Sequence, residues 1–339
     1  MILVTGSTDL LGSHLLFDLT KQGLSVRAIK RTTSDVKMVH KIFSYYTDQT
    51  DALFERIQWV DADLLDFGAL VDAMEGISEI YHCGAVVSFY PGDHKAMLEV
   101  NIEGTANLVN IGIRHKVKKF CYVSSVSVLG QDKNNGIINE QTMWQPSSKD
   151  AVYSISKYEA EREVWRGMEE GLNAVIICPS VILGPGYWHK NSGFFQQVWE
   201  GLRYTTRGVT GYVDVRDVSR IMIGIMDKGI FGERFICSSN NLSYQEFFTL
   251  VAKYLNKPSP AINVPPAMTI VAWAAESFRA FITRSRPRIT REMAIASSRV
   301  DRYSNEKIKK SLDFEFIPIE QSIRDICGSF LKDQSNGSA

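Results

Sequence analysis

The sequence has no Cys-x-x-Cys pair; Cys83, Cys121, Cys178, Cys237 and Cys327 are scattered along 339 residues. That spacing gives neither a zinc-ligand pattern nor a disulfide framework, and no metal is expected. Charge of one sign is also lacking, with Lys+Arg and Asp+Glu both 38 and a formal net charge of zero. Bulk electrostatics therefore point to neither a nucleic-acid nor an anionic-membrane partner. No internal repeat or low-complexity segment occurs. The longest apolar stretch, 264–282, includes Pro265-Pro266 near its start and contains Glu276 and Arg279. It reads as an amphipathic helix over a substrate pocket, not as a membrane span. No signal peptide is visible ahead of the first strand, so a cytoplasmic location is expected.

What is present is enough apolar sequence, 45% of residues, for a sizeable core in one large α/β domain or two lobes. Strand-like and helix-like runs alternate. Strands are expected at 2–4, 25–30, 57–60, 80–83, 120–124 and 174–178, with helices at 13–22, 66–74, 95–114 and 153–170. That rhythm implies a parallel sheet covered on both faces. After Pro179 it changes: Gly184-Pro185-Gly186 forms a turn cluster, and aromatic-rich sequence follows through Tyr204. A short strand is expected at Tyr212–Asp214 and another strand of the main sheet at Arg234–Cys237. Ser243 and Glu246 form a capping box, and Ile319, Ile323, Ile326 and Phe330 recur at helical spacing.

The chain is organised around MILVTGSTDLLGSH, residues 1–14. Strand, glycine turn and helix follow in the order that builds a dinucleotide site, with the helix N-terminus offering N–H groups and a positive dipole end to a diphosphate. Tyr153 and Lys157 stand at i and i+4, on one helix face. An ammonium near a phenol favours the phenolate, which suits Tyr153 to proton transfer. Ser124-Ser125 closes the 120–124 strand, at the edge where open parallel sheets bind ligands.

These motifs resemble the extended short-chain dehydrogenase/reductase family, part of the NAD-dependent epimerase/dehydratase superfamily. Thr5, Gly6 and Gly12 match its TGxxGxxG fingerprint, with Asp9 in place of the middle glycine. His82-Cys-Gly84-Ala85 resembles its HxAA turn, Asn101-Ile-Glu-Gly104-Thr105 its NxxGT and Val213–Val218 its VxVxDVA, in which Asp217 would fix a loop. Cys178–Gly186 resembles RPxxxxGPG, with Cys178 in place of Arg. The resemblance implies an α/β Rossmann fold, a doubly wound parallel sheet with a smaller C-terminal substrate-binding lobe. The sheet domain is expected to span 1–182 plus 211–240, the lobe 183–210 plus 241–332, and a disordered tail 333–339.

It also implies the site. Ser125, with Ser124 as the alternative, would hold the substrate oxygen; Tyr153 would transfer the proton and Lys157 would bind the nicotinamide ribose. Gly6, Ser7, Thr8, Leu10, Leu11 and Gly12 would receive the diphosphate. Asp63 and Leu64 would meet the adenine, Gly84 and Ala85 the ribose, and Pro179 and Val181 the nicotinamide. After the second strand, Lys30-Arg31 stands where NAD-binding proteins carry an acid, so Arg31 is a candidate clamp for a 2′-phosphate. NADP(H) is expected ahead of NAD(H).

The nearest group within the family is the dihydroflavonol 4-reductase-like one, which shares Ile289-Thr-Arg-Glu292 near the C-terminus. The expected reaction is NAD(P)H-dependent oxidoreduction of a ketone or secondary alcohol. A nucleotide-sugar epimerase/dehydratase is the alternative, and a non-catalytic dinucleotide-binding protein, to which Asp9 points, the second alternative. Phe89, Tyr187, Trp188, Phe194, Phe195 and Tyr204 are candidates both for an apolar pocket and for lobe packing. The partners expected are a small-molecule substrate and a second copy in a homodimer through 95–114 and 153–170.

Overall fold

The computed structural model describes residues 1–130, 136–145, 147, 151–188 and 193–337. β1 (Ile2–Thr5), β2 (Val26–Lys30), β3 (Ile57–Asp61), β4 (Glu79–His82) and β5 (Lys119–Val123) join the strands Ala174–Pro179 and Glu233–Cys237 in one seven-stranded sheet. The order is β3-β2-β1-β4-β5, then 174–179, then 233–237. Every pairing is parallel. Strand order reverses beside β1, so the ligand crevice of such a sheet opens at the carboxyl ends of β1 and β4.

The sequence accounts for the layers. β1 and 174–179 are buried at every position, as uninterrupted apolar runs must be when helices cover both faces. On one face, Leu15 and Leu16 of α1 (Leu10–Lys21) pack with Val218 and Met222 of the Val215–Lys228 helix. On the other, Leu108 and Ile111 pack with Ala160 and Val164 of the Tyr153 helix, Val152–Glu169. A third core, around Tyr212, Phe247, Ile323 and Phe330, belongs to the C-terminal half. The Tyr244–Leu255 helix there starts with the expected capping box. Ser243 Oγ accepts from Glu246 N–H at 3.1 Å, and the Glu246 carboxylate accepts from Ser243 N–H at 2.8 Å.

Two expectations are corrected, the unbroken helix over 95–114 and the tail from 333. The single helix expected over 95–114 is His94–Leu98, a π-helical turn Glu99–Glu103, then Gly104–Arg114. The wider turn carries Asn101 inward, where its side chain is bonded on both ends. The short strand expected at Tyr212–Asp214 is present, as part of a separate three-stranded sheet. There the strand Val209–Asp214 lies between Val181–Leu183, which offers it a parallel edge just past Pro179, and Asn240–Ser243. The last helix, Ile319–Ser335, runs into the expected tail because Asp333 is buried, accepting from Trp188 Nε1 at 2.8 Å and pairing with Lys41 at 2.9 Å. Ser338 and Ala339 lie outside the described residues. The Pro266–Thr283 helix buries only Thr269 and Ala280, so most of its apolar face is exposed.

Among the described residues no helix is long and apolar enough to cross a membrane. All five cysteines are free thiols.

Candidate functional site

The residues singled out in the sequence gather at the carboxyl edge of the main sheet, because each follows the end of a strand. Gly6 to Gly12 follow β1, Arg31 follows β2, Asp63 and Leu64 follow β3, Gly84 and Ala85 follow β4, and Ser124 and Ser125 follow β5. Pro179 ends the 174–179 strand and Val181 begins the next.

The turn after β1 is built by close approach. Gly6 has φ +63°, a left-handed conformation costly for a side chain. A Cβ on Gly12 would lie 2.1 Å from the Gly6 carbonyl oxygen, so only glycine lets α1 start this near the strand. Ser7 is buried and its hydroxyl donates to the Ile29 carbonyl at 2.6 Å, while Leu11 is packed in the core. Both can serve a ligand only through the backbone. Asp9 is the exposed N-cap of α1, and its side chain does not take the first-turn N–H groups of its own helix. The Thr8 carbonyl accepts from the Tyr187 hydroxyl.

Behind this turn sits His82, buried and neutral, since burial pulls its pKa down to about 3. Its proton can be assigned from its partners. The Thr105 hydroxyl donates to the Asn101 carbonyl at 2.6 Å, so it must accept from His82 Nε2, 3.0 Å away. His82 Nδ1 then accepts from the Thr5 hydroxyl at 2.7 Å, whose lone pair receives the Gly84 N–H at 3.1 Å. One histidine thus ties the β1 turn, the β4 turn and the NxxGT segment together. Asn101 continues the tie, bonding Val86 N–H and C=O at 2.7 and 3.0 Å and donating to Ser156 Oγ at 2.9 Å, on the Tyr153 helix.

The two serines divide between faces, as neighbours in extended chain must. Ser125 lies beside the Tyr153 phenol, and its Oγ accepts from Ser127 N–H at 3.1 Å. Ser124 is buried on the other side, donating to the Glu161 carboxylate at 2.6 Å. Burial raises the Tyr153 pKa, with the neighbouring Ser125 hydroxyl working the other way. Lys157 is 2% exposed; its Nζ donates to the Val123 carbonyl at 2.7 Å and lies 4.4 Å from the Tyr122 ring centroid. Burial pulls its pKa down to about 7, against a weaker upward pull from the Glu161 charge. Lys157 Nζ is turned to the strand, and the causes of the Tyr153 shift are burial and the Ser125 hydroxyl.

The sequence reading missed Glu161. It lies one turn past Lys157 and accepts from Ser124, from Trp165 Nε1 at 3.1 Å and from Arg234 at 3.2 Å. The i, i+4, i+8 spacing of Tyr153, Lys157 and Glu161 was the available signal. Cys178 replaces the family arginine, and the cation that meets Glu161 comes from Arg234 on the adjacent strand. Asp217 is buried and pairs with Arg220, and its second oxygen accepts from Ile317 N–H at 2.9 Å, fixing the approach to the last helix.

Asp63 holds Leu65 N–H with one oxygen at 2.9 Å, leaving the second for another donor. Arg31 is exposed, whereas neighbouring Lys30 is paired with Asp61. Of the six aromatic candidates, Trp188, Phe194 and Phe195 pack within the third core. Tyr204 is exposed, Tyr187 bonds the Thr8 turn, and Phe89 meets the Tyr153 ring at 6.4 Å. Glu292, of the C-terminal motif, accepts from Val152 N–H at 3.2 Å, at the start of the Tyr153 helix.

A parallel sheet with a glycine turn at its switch point and a Ser–Tyr–Lys group beside it defines an α/β protein of the Rossmann type. The chain belongs to the NAD dependent epimerase/dehydratase family, whose model matches residues 2–236. It is similar to a putative dihydroflavonol 4-reductase of Synechocystis, 28% identical over 335 residues, 95% of this chain and 92% of that protein. It is equally similar, at 28% over 269 residues and 78% of either chain, to sterol demethylase protein B of Methylococcus capsulatus. The crystal structure of gox2253 superposes with a TM-score of 0.79 at 26% identity, covering 100% of this chain and 99% of that one.

Proposed function

We propose that this chain is an NAD(P)H-dependent oxidoreductase of a ketone or secondary alcohol, dihydroflavonol-reductase-like. The observation that carries the reading is the Ser125 hydroxyl beside the Tyr153 phenol at the carboxyl edge of β5, with Lys157 on the same helix face. The residues fit a dinucleotide. The Gly6–Gly12 turn brings the chain close to the start of a twelve-residue helix, and Asp63 keeps an oxygen for the adenine. Gly84 and Ala85 would face the ribose, with Pro179 and Val181 beside the nicotinamide. A bound nicotinamide would supply or accept the hydride.

The chain's own groups do the rest. Ser125 Oγ holds the substrate oxygen and Tyr153 Oη gives it a proton during reduction. Lys157, with two N–H bonds beyond the one to Val123, binds the nicotinamide ribose. Arg31, exposed and free of the pairing that holds Lys30, favours NADP(H) through a 2′-phosphate. Phe89 borders the substrate space, and a homodimer through the outer faces of the 104–114 and 152–169 helices completes the reading.

The test is titration with NADPH and NADH by nicotinamide fluorescence, followed by turnover on a ketone panel with wild type and Tyr153→Phe. The expected result is tighter NADPH binding and a turnover loss of about 10²–10⁴-fold in the variant with binding retained. UDP binding without ketone turnover would move the reading to a nucleotide-sugar enzyme. Absence of any dinucleotide binding would refute both.

A further inference from the structure

The Pro266–Thr283 helix is amphipathic the wrong way round for a core helix. Met268, Ile270, Val271, Phe278, Phe281 and Ile282 are all exposed, Phe281 by 82% and Phe278 by 67%. At helical periodicity these six fall within an arc of about 160°. The helix's two charged residues, Glu276 and Arg279, lie outside that arc and pair with each other at 2.7 Å. The exposed apolar face therefore runs from Met268 to Ile282, about 22 Å. A surface of this kind marks an interaction site.

Charge identifies its occupant. Between Glu276 and Glu292 the chain carries Arg279, Arg284, Arg286, Arg288 and Arg291 and no carboxylate. Arg284, Arg288 and Arg291 are exposed, and Arg286 is 73% exposed beside Asp93. The net charge of zero conceals this cluster. A second copy docking by a two-fold contact would bring an equal set of arginines against it. An anionic bilayer would neutralise the arginines while taking up the apolar arc.

We propose that the outward face of the Pro266–Thr283 helix, with the arginines that follow it, docks on an anionic membrane surface without crossing it. The same segment reaches the candidate site, since Glu292 accepts from the first N–H of the Tyr153 helix.

The experiment is co-sedimentation of the full chain with vesicles of phosphatidylcholine alone and of phosphatidylcholine with phosphatidylglycerol. Wild type is expected to pellet with the anionic vesicles only, and less at 0.5 M salt, a concentration that cuts the Debye length to about 4 Å. Phe278→Glu/Phe281→Glu should weaken binding by at least about tenfold, since each aromatic loses its apolar burial. Arg284→Gln/Arg288→Gln should weaken it about fivefold per arginine. Melting curves confirm that each variant is folded; if the phenylalanine pair is not, the arginine pair and the salt series decide. Wild type left in the supernatant with anionic vesicles at low salt overturns the proposal. So does binding that neither variant pair changes, or a dimer in size exclusion that Phe278→Glu/Phe281→Glu dissociates.

Discussion

Lys157→Met tests whether the ammonium is as desolvated as its surroundings imply. Burial holds the Lys157 pKa at about 7, where an unfolded lysine has about 10.5. The sign follows from proton counts. Above pH 10.5 both states are neutral there. As pH falls from 10.5 toward 7 the unfolded chain takes up a proton that the native site refuses, so folding loses stability. Raising the pH restores it. Integrating between pH 7 and pH 9 gives a gain of about 2 kcal/mol from this one group. The buried thiols Cys121, Cys178 and Cys237, raised by burial, push the other way at high pH, but equally in both proteins. The assay is urea unfolding of wild type and Lys157→Met at pH 7 and pH 9. The pH-dependent gain should be about 2 kcal/mol smaller in the variant. Methionine should also cost little at pH 7, since it fills the site without a charge to desolvate. An equal gain in both proteins would mean that Lys157 keeps an ordinary pKa, and the reasoning from burial would fail.

Arg31→Ala should weaken NADPH binding by about 1.5–3 kcal/mol, the worth of hydrogen bonds to a charged group, and leave NADH unchanged by fluorescence titration. Asp9→Gly should tighten both nucleotides by about 1 kcal/mol, because an exposed carboxylate repels a diphosphate through high-dielectric surroundings. Gly12→Ala should cost about 1–3 kcal/mol in thermal or urea unfolding and abolish nucleotide binding, since its Cβ would meet the Gly6 carbonyl at 2.1 Å.

The main sheet was legible because its signals are local. Short apolar runs rich in β-branched residues, such as AVIICP, read as strands buried on both faces, and the Gly6–Gly12 spacing is legible as a turn before any partner is known. Tyr153 and Lys157 were legible for the same reason, one helical turn apart. What escaped depends on contacts distant in sequence. Asp333 looks like tail composition until Trp188 and Lys41 meet it. The π turn at Asn101 follows from bonds to Val86 and Ser156, on two other elements. The 266–283 helix was legible as amphipathic, but periodicity cannot say which face the fold will cover. The choice between Ser124 and Ser125 stayed open for a related reason, since it turns on which face of the strand end holds Glu161.

Glu161 explains why the Lys157 pKa falls no further than about 7. A lysine 2% exposed, with one carbonyl for company, would be driven toward the neutral amine by desolvation alone. The Glu161 carboxylate opposes that, and Arg234, Ser124 and Trp165 all donate to it. Arg234 is anchored in turn by two bonds to the Glu140 carbonyl at 2.6 and 2.8 Å. A pair buried this deeply contributes little net stability, because desolvation cancels most of the attraction. Its effect falls instead on protonation. With the carboxylate present Lys157 is divided between ammonium and amine near neutral pH, so a ligand that adds negative charge beside it can complete the protonation. Removing the carboxylate would leave the amine neutral until the pH dropped further, and the pH below which Lys157 can hold such a ligand would drop with it.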